Sequence, residues 1–552
     1  MDGSTASGAS AASQLPADCP FSAQQLSVTI FTLDCLARRS DLLESLPLRA
    51  LRKTITPLVD AAIIKRFNGE DPHAHKSSRE RREERHRKEQ QKKAHDRDLL
   101  NKRTLRLERL RQVEAMNAAA PGVLVIPDGA VFDGVNISLG QTSGTSSVVS
   151  VQNAPRAAVA ALEDAHAPEL FRPRSCYVCK ARFYILHHFY DQLCPECATL
   201  NWTKRMQTVD LRGKVAVLTG GRVKVGYQIA LKLLRAGAFC VITSRFPADT
   251  CERLSREPDF DQWRNRVRLF GIDLRDIAAV ERFCAALLAE LPRLDILINN
   301  ACQTVRRPPA YYQHLLANEE ASLKSGTFAP LLMQATAHAL PALALADGPV
   351  AASALLSQVA LLPSDTAHAT AGLFPKGAFD VNAQQVDLRD HTSWTTKLAD
   401  VSTPEAVEVL SVNTLAPFIL CARLKPLFMR TQTEHGKYIV NVSSMEGKFM
   451  RVKADVHPHL NMAKAALNMV SKTSGTDYAH DDIYMTSVDT GWLNNEAPLP
   501  TAVKIAEKNN FQTPLDEVDG ASRVLDPVFS GVRDPSLRQF GCFLKDYRVT
   551  EW

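Results

Sequence analysis

A chain of 552 residues with 45% hydrophobic side chains is too long for one ordinary core and too apolar for a disordered or fibrous protein. Its formal charge of +6 belongs to one stretch: residues 76–112 hold fifteen Lys and Arg against seven Asp and Glu, which leaves the remainder near −2 and confines any basic binding role to that segment. Of twelve cysteines, eight are scattered (Cys19, Cys35, Cys240, Cys251, Cys284, Cys302, Cys421 and Cys542), which suits reduced thiols rather than a disulfide framework.

Residues 1–20 are rich in Ser, Ala and Gly and read as a disordered tail. The opening carries an early acid and no basic-then-apolar pattern, so no signal peptide and a cytoplasmic location are expected. A helical region is expected over 21–115. Leu51, Ile55, Leu58, Val59, Ala62 and Ile63 recur at helical spacing before Gly69, and the basic segment 76–112 repeatedly sets Glu three or four residues from Arg or Lys, as on an exposed helix. Leu99, Leu107 and Leu110 add a weak apolar stripe. The interspersed acids dilute the positive field, so a solvated helix is the preferred reading over nucleic-acid binding or a nuclear-import signal. Residues 116–171, punctuated by Pro-Gly, Asp-Gly and a Ser/Thr/Gly cluster, read as a linker with room for one hairpin.

Within residues 172–208, Cys176-x-x-Cys179 and Cys194-x-x-Cys197 lie fourteen residues apart, the two-knuckle spacing that lets four thiolates close a tetrahedron around zinc. Four protein ligands leave no open position, so the expected metal is structural. Redox dithiols, or a mixed site using His187 or His188, are the rival readings. Such a module can bind a protein partner or simply brace the chain.

Beyond residue 209, short Val/Ile/Leu strands near 215–218, 239–243, 267–272, 294–298, 438–442, 483–488 and 540–543 alternate with helical patterns, which predicts an α/β, doubly wound parallel sheet. An insertion at 303–404 is expected over the carboxyl ends of the strands, where open α/β sheets bind ligands. No membrane span is expected, since the Ala/Leu-rich run 328–361 is broken by Gln334, His338, Pro341 and Asp347.

The stretch Gly213 to Gly226 is a strand, a glycine turn and a helix start. There Gly220 and Gly226 allow close approach, and the residues after Thr219 offer amide donors to a pyrophosphate. With it go Asp273-Leu274, Asn299-Asn300-Ala301, Asn413, Ser444, Lys464 and Thr490-Gly491, in that order. This set resembles the short-chain dehydrogenase/reductase family, in an atypical subgroup with a four-cysteine module in front. The resemblance implies a Rossmann domain, a carbonyl or alcohol substrate and association into a homodimer. It also implies cofactor contacts at Asp273, Leu274, Asn299, Ala301, Thr490 and Gly491, and catalytic roles for Asn413, Ser444 and Lys464, the last also holding ribose.

Three departures from the family pattern matter. Lys224 stands where the family has a third glycine, its ammonium either turned toward a phosphate or blocking approach. Ser244-Arg245 replaces the acid of NAD-preferring members, so the resemblance implies NADP(H), with Arg222 as a second contact. Leu460 occupies the position of the family's proton-donating tyrosine and cannot transfer a proton. His459 is the favoured substitute and His457 the second, since an imidazole titrates near neutrality; Tyr311 and Tyr312 of the insertion are further candidates. The leading reading is an NADP(H)-dependent oxidoreductase; the alternative is a cofactor-binding sensor or scaffold without turnover.

Overall fold

The computed structural model describes residues 22–38, 51, 53–55, 78–119, 169–326, 328–333, 352–370, 372–380, 382–449, 453–494, 496, 498 and 512–552. The expected tail 1–20, the positions Leu58 to Ile63 and all of the expected linker except 116–119 and 169–171 lie outside the described residues. Two compact units emerge: 1–100 with 164–173, and 101–163 with 174–552.

In the smaller unit the basic segment forms the helix Ser78–Asn101. It is not wholly solvated. Asp96 is buried, and its carboxylate accepts the backbone amides of Phe171 (2.8 Å) and Arg172 (3.1 Å), while His95 meets the Phe171 ring edge-on. A second helix, Ala23–Arg38, exposes Val28, Ile30 and Phe31.

The larger unit is built on an eight-stranded sheet. After β1 (Glu169–Ser175) and β2 (Arg182–Ile185) near the cysteines, its strands are β3 (Val215–Thr219), β4 (Phe239–Ser244), β5 (Val267–Gly271), β6 (Ile296–Asn299), β7 (Lys437–Ser443), β8 (Ile483–Asp489), β9 (Cys542–Lys545) and β10 (Arg548–Thr550). The order is β10-β9-β8-β7-β6-β3-β4-β5, parallel throughout except for β10, which pairs antiparallel with β9. The continuous apolar runs follow from this arrangement. Helices cover both faces, so β3, β6 and β7 have no solvent side and are buried along their whole length. Strand order reverses between β3 and β6, opening the crevice that ligands use in such sheets.

One face packs under the helices Lys224–Arg235 and Glu517–Arg533, with Ile229, Leu233, Val524 and Val528 fully buried. The other lies under Ile277–Glu290 and Ala416–Met429, with Phe283, Leu287, Leu420 and Phe428 at its centre. The run Thr403–Met429 is the one helix among the described residues long and apolar enough to cross a membrane; half of its most apolar window is buried inside the fold.

The insertion contributes the helices Pro309–Ser325 and Pro363–Thr370 and several short turns. Buried Arg306 ties it down, pairing with both Asp365 oxygens (2.5 and 2.8 Å) and with Glu408 (3.2 Å). The cysteine segment from Arg174 onward belongs to this larger unit, and charged groups bury themselves across the contact. Arg205 pairs with Asp516 (2.6 Å) and Asp519 (3.1 Å), and Arg523 with Asn201 (2.8 Å). The basic segment also ends here: Arg106, 1% exposed, pairs with Asp191 at 3.2 Å, so the continuous exposed helix expected over 76–112 is corrected to two helices broken near Lys102.

Candidate functional site

A cleft of about 670 Å³ runs along the carboxyl ends of β4, β3, β6, β7 and β8. At its centre the turn after β3 is shaped by two glycines. Gly220 has φ +72°, and a Cβ there would lie 2.9 Å from Ala301 Cα; a Cβ on Gly226 would lie 2.0 Å from the Gly220 carbonyl oxygen. The Asn300 amide spans the turn, donating to the carbonyls of Gly220 (2.9 Å) and Thr219 (3.1 Å). Thr219 lies beneath the cleft rather than in its wall: it is buried, and its hydroxyl accepts the amides of Asn300 (3.0 Å) and Ala301 (3.1 Å). Lys224 opens the helix Lys224–Arg235 at φ +53°, taking the left-handed conformation that glycine would adopt freely, with its ammonium 3.6 Å from Glu496. Val223 provides no side-chain cap, so the first amides of this helix remain available to an anion.

Toward β4 and β5 the wall is cationic and aromatic. Arg245 donates to the Tyr312 hydroxyl at 2.9 Å and lies 4.7 Å from that ring's centroid and 5.7 Å from that of Phe246. Among the described residues it holds no ion pair, whereas Arg222 is engaged by Asp249 at 3.0 Å. Leu274 and Asp273 line the same end. Asp273 is buried, yet Arg275 grips it through two nitrogens and Arg245 lies near, which together hold its carboxyl below the usual carboxylate range. Tyr311 and Tyr312 line the cleft as well, Tyr312 beside Arg245. Arg245 follows β4 and Ser444 follows β7, three strand spacings or about 14 Å apart.

At the β7–β8 end Ser444, Lys464, Leu460, Ala301, Thr490 and Gly491 line the cleft. Lys464 Nζ donates to the Val442 carbonyl at 2.8 Å, and the buried Ser443 hydroxyl finds no partner among the described residues. Asn413 sits on a π-turn (Ser411–Leu415), buried behind the cleft wall. Its amide brackets the backbone of Gln303, accepting from N at 2.8 Å and donating to O at 3.2 Å.

Three expectations need correction. Asn299 is 2% exposed and bonds Asn441 Oδ1 (2.8 Å) inside the core; the next residue, Asn300, faces the cleft. His459 and His457 do not line the cleft. His459 is buried with Nε2 3.4 Å from Glu405, and His457 stacks on Trp394 (4.2 Å, 11°) with Nδ1 2.9 Å from the Trp394 carbonyl. Both start the helix Pro458–Ala479, and the side chains of its first turn diverge, so adjacency to Leu460 in sequence does not bring an imidazole to the cleft.

The four sulfurs of Cys176, Cys179, Cys194 and Cys197 lie within 4.8 Å of one another, with Cys179 and Cys194 at 3.6 Å. Zinc–sulfur bonds of about 2.3 Å at tetrahedral angles need sulfurs about 3.8 Å apart, so the donor set fits. Pro195 starts the helix Pro195–Met206 directly after Cys194. Burial, then the neighbouring Cys194 thiol, pushes Cys197 well up, a strain that a divalent cation relieves. His187 is held neutral, its pKa lowered to about 3 by burial and by His188, and its Nδ1 accepts the Phe189 amide at 3.1 Å. The other described cysteines are free; Cys240, Cys251, Cys284 and Cys421 are buried, while Cys35 and Cys302 are exposed.

Residues 214–340 match the family model described as short chain dehydrogenase. The chain is 27% identical over 376 residues to an uncharacterized protein of Acanthamoeba polyphaga mimivirus, covering 64% of this chain and 71% of that one. It is 33% identical over 129 residues to the Bos taurus dehydrogenase/reductase SDR family member 13, covering 23% of this chain and 32% of the relative, so it spans about a third of that protein's length. Among solved structures it is similar to an NADPH-bound carbonyl reductase from chicken fatty liver (TM-score 0.38, 15% identity, 62% of this chain and 100% of that one), a likeness too distant to bear on this site.

Proposed function

We propose that the chain, whose residues 214–340 match the short chain dehydrogenase model and lie on a doubly wound parallel sheet, is an NADP(H)-dependent oxidoreductase acting on a carbonyl/alcohol pair. The observation that carries the reading is the cradle after β3. Gly220 and Gly226 leave no room for side chains, Asn300 clamps the turn, and uncapped amides of Lys224–Arg235 face the space a pyrophosphate would fill.

In this reading Thr219 and Asn300 hold the turn, Lys464 would hold the nicotinamide ribose, and Thr490-Gly491 would bound the nicotinamide end. Arg245, which holds no ion pair among the described residues, suits a 2′-phosphate, with Leu274 and Asp273 beside the adenine. The bound dinucleotide would supply the hydride. The chain's part is to orient the substrate oxygen with the Ser444 hydroxyl and to anchor the loop of Gln303 through Asn413. The four-cysteine site would hold zinc as a structural ion.

A second reading, a cofactor-binding sensor or scaffold, draws on one observation: Leu460 lines the cleft where a phenol is needed, and both nearby histidines face elsewhere. Consumption of NADPH against a panel of aldehydes and ketones, abolished in Ser444→Ala, supports the oxidoreductase; tight NADPH binding without consumption supports the second reading. Exposed Val407, Leu415 and Phe418 on 403–429, with Met462 and Met469 on the adjacent helix, support pairing of two copies.

A further inference from the structure

The turn after β8, which bounds the nicotinamide end of the cleft, is held from the cysteine segment. Trp492 N donates to the Tyr177 hydroxyl at 2.9 Å, and Tyr177 lies inside the first knuckle, between Cys176 and Cys179. Gly491, at φ +83°, is wedged in place: a Cβ there would meet Leu515 at 2.7 Å and the Tyr177 hydroxyl at 3.6 Å. The next residues are fastened from the same side. Arg109 donates to the carbonyls of Leu493 (3.3 Å), Thr513 and Leu515, the Thr513 hydroxyl donates to Leu493 O at 2.7 Å, and the Gln192 amide reaches the Gln512 carbonyl. Tyr177 itself forms part of the cleft wall, beside Thr490 and Asp489.

The knuckle that delivers this tyrosine is shaped by backbone bonds of the metal site. Cys176 N donates to Ala181 O, Lys180 N to Cys176 O, and Tyr177 N to Gln192 O, with Lys180 at φ +66°. Four thiolates hold such a geometry only with a cation between them; without one they repel or take up protons and lose their common centre.

We propose that Tyr177 is a positioning residue for the Gly491–Trp492 turn and that metal in the four-cysteine site presents it, so that dinucleotide affinity depends on the metal. This rests on the dinucleotide reading above. The metal module is thereby a wall of the cofactor site and not a separate appendage.

The test is calorimetric titration of the full-length, zinc-loaded chain with NADPH, beside Tyr177→Phe, which keeps the ring and removes only the hydroxyl. Loss of one hydrogen bond to the turn predicts affinity about three- to tenfold weaker, with one zinc per chain retained. Gly213→Ala, before β3 and outside the cleft lining, where only the added methyl's left-handed backbone is strained, lowers stability and leaves affinity unchanged, which separates positioning from general loosening. Chelator-stripped protein of unchanged far-ultraviolet dichroism is expected to bind at least about tenfold more weakly and to recover on adding zinc. Affinity of Tyr177→Phe within about twofold of the parent would overturn the role of the hydroxyl, and unchanged affinity after stripping would overturn the metal coupling. If the parent chain took up no dinucleotide at all, the underlying reading would fail first, and visibly so.

Discussion

Gly226 offers the sharpest perturbation of the cradle. Alanine there places a Cβ 2.0 Å from the Gly220 carbonyl oxygen and 2.5 Å from Asn300 Nδ2, so turn and helix must separate by about 1 Å. Separation breaks the two Asn300 bonds, about 1 kcal/mol each, and overpacking adds about 1–3 kcal/mol. Alanine's better helix propensity returns about 1 kcal/mol, which leaves a net loss of about 2–4 kcal/mol. Gly213→Ala is the contrasting case: φ is +75° but nothing lies within 4 Å, so only the left-handed backbone penalty of about 1–2 kcal/mol applies. Urea unfolding followed by far-ultraviolet dichroism ranks the two, and NADPH titration should show at least about tenfold weaker binding for Gly226→Ala alone. A Gly226→Ala protein as stable as its parent, or less affected than Gly213→Ala, would refute the cradle geometry.

Four further outcomes are expected. Arg245→Ala should weaken NADPH binding by about ten- to hundredfold and leave NADH unaffected, because one charge-assisted contact to a 2′-phosphate is lost; equal weakening of both would place Arg245 elsewhere in the site. Leu460→Tyr, at a position packed against Val409 and Ala463, should cost about 1–3 kcal/mol in stability yet raise NADPH consumption against carbonyls; no gain would show that proton supply does not limit this site. Burial raises the Glu319 carboxyl from 4.5 to about 7, so the folded chain holds this proton to higher pH than the unfolded chain does. Stability should therefore fall as pH rises from about 4.5 to about 7, and a Glu319→Gln variant whose urea midpoints kept the same slope would contradict the assignment. Phe418→Glu, on the exposed side of 403–429, should shift a dimer to monomer in light scattering at micromolar concentration, and an unchanged mass would place the interface elsewhere.

Much of the fold was legible because parallel strands covered on both faces must be apolar throughout. The runs at 215–218, 239–243 and 438–442 announced β3, β4 and β7 to within a residue or two. The three residues of β10, half exposed at an edge, carried no such signal. At the site, glycine spacing pointed to Gly220 and Gly226 because only glycine fits there. Asn299 and Asn300 could not be told apart by type; which one faces the cleft depends on where β6 ends. His459 was misread because sequence adjacency says nothing about direction from a helix. Tyr177 carries no signal in the sequence, and Tyr312 reads there as a candidate proton donor rather than as the partner of Arg245, since Trp492 and Arg245 lie 315 and 67 residues away. Arg106 reads as one more solvated cation until Asp191 comes to meet it.

The central claim is occupancy of the β3 turn by a phosphorylated dinucleotide. Calorimetric titration of folded, zinc-loaded chain with NADPH and with NADH tests it directly. The expected result is one site per chain with NADPH preferred by at least about tenfold. Heat from neither dinucleotide, with secondary structure intact, would contradict it.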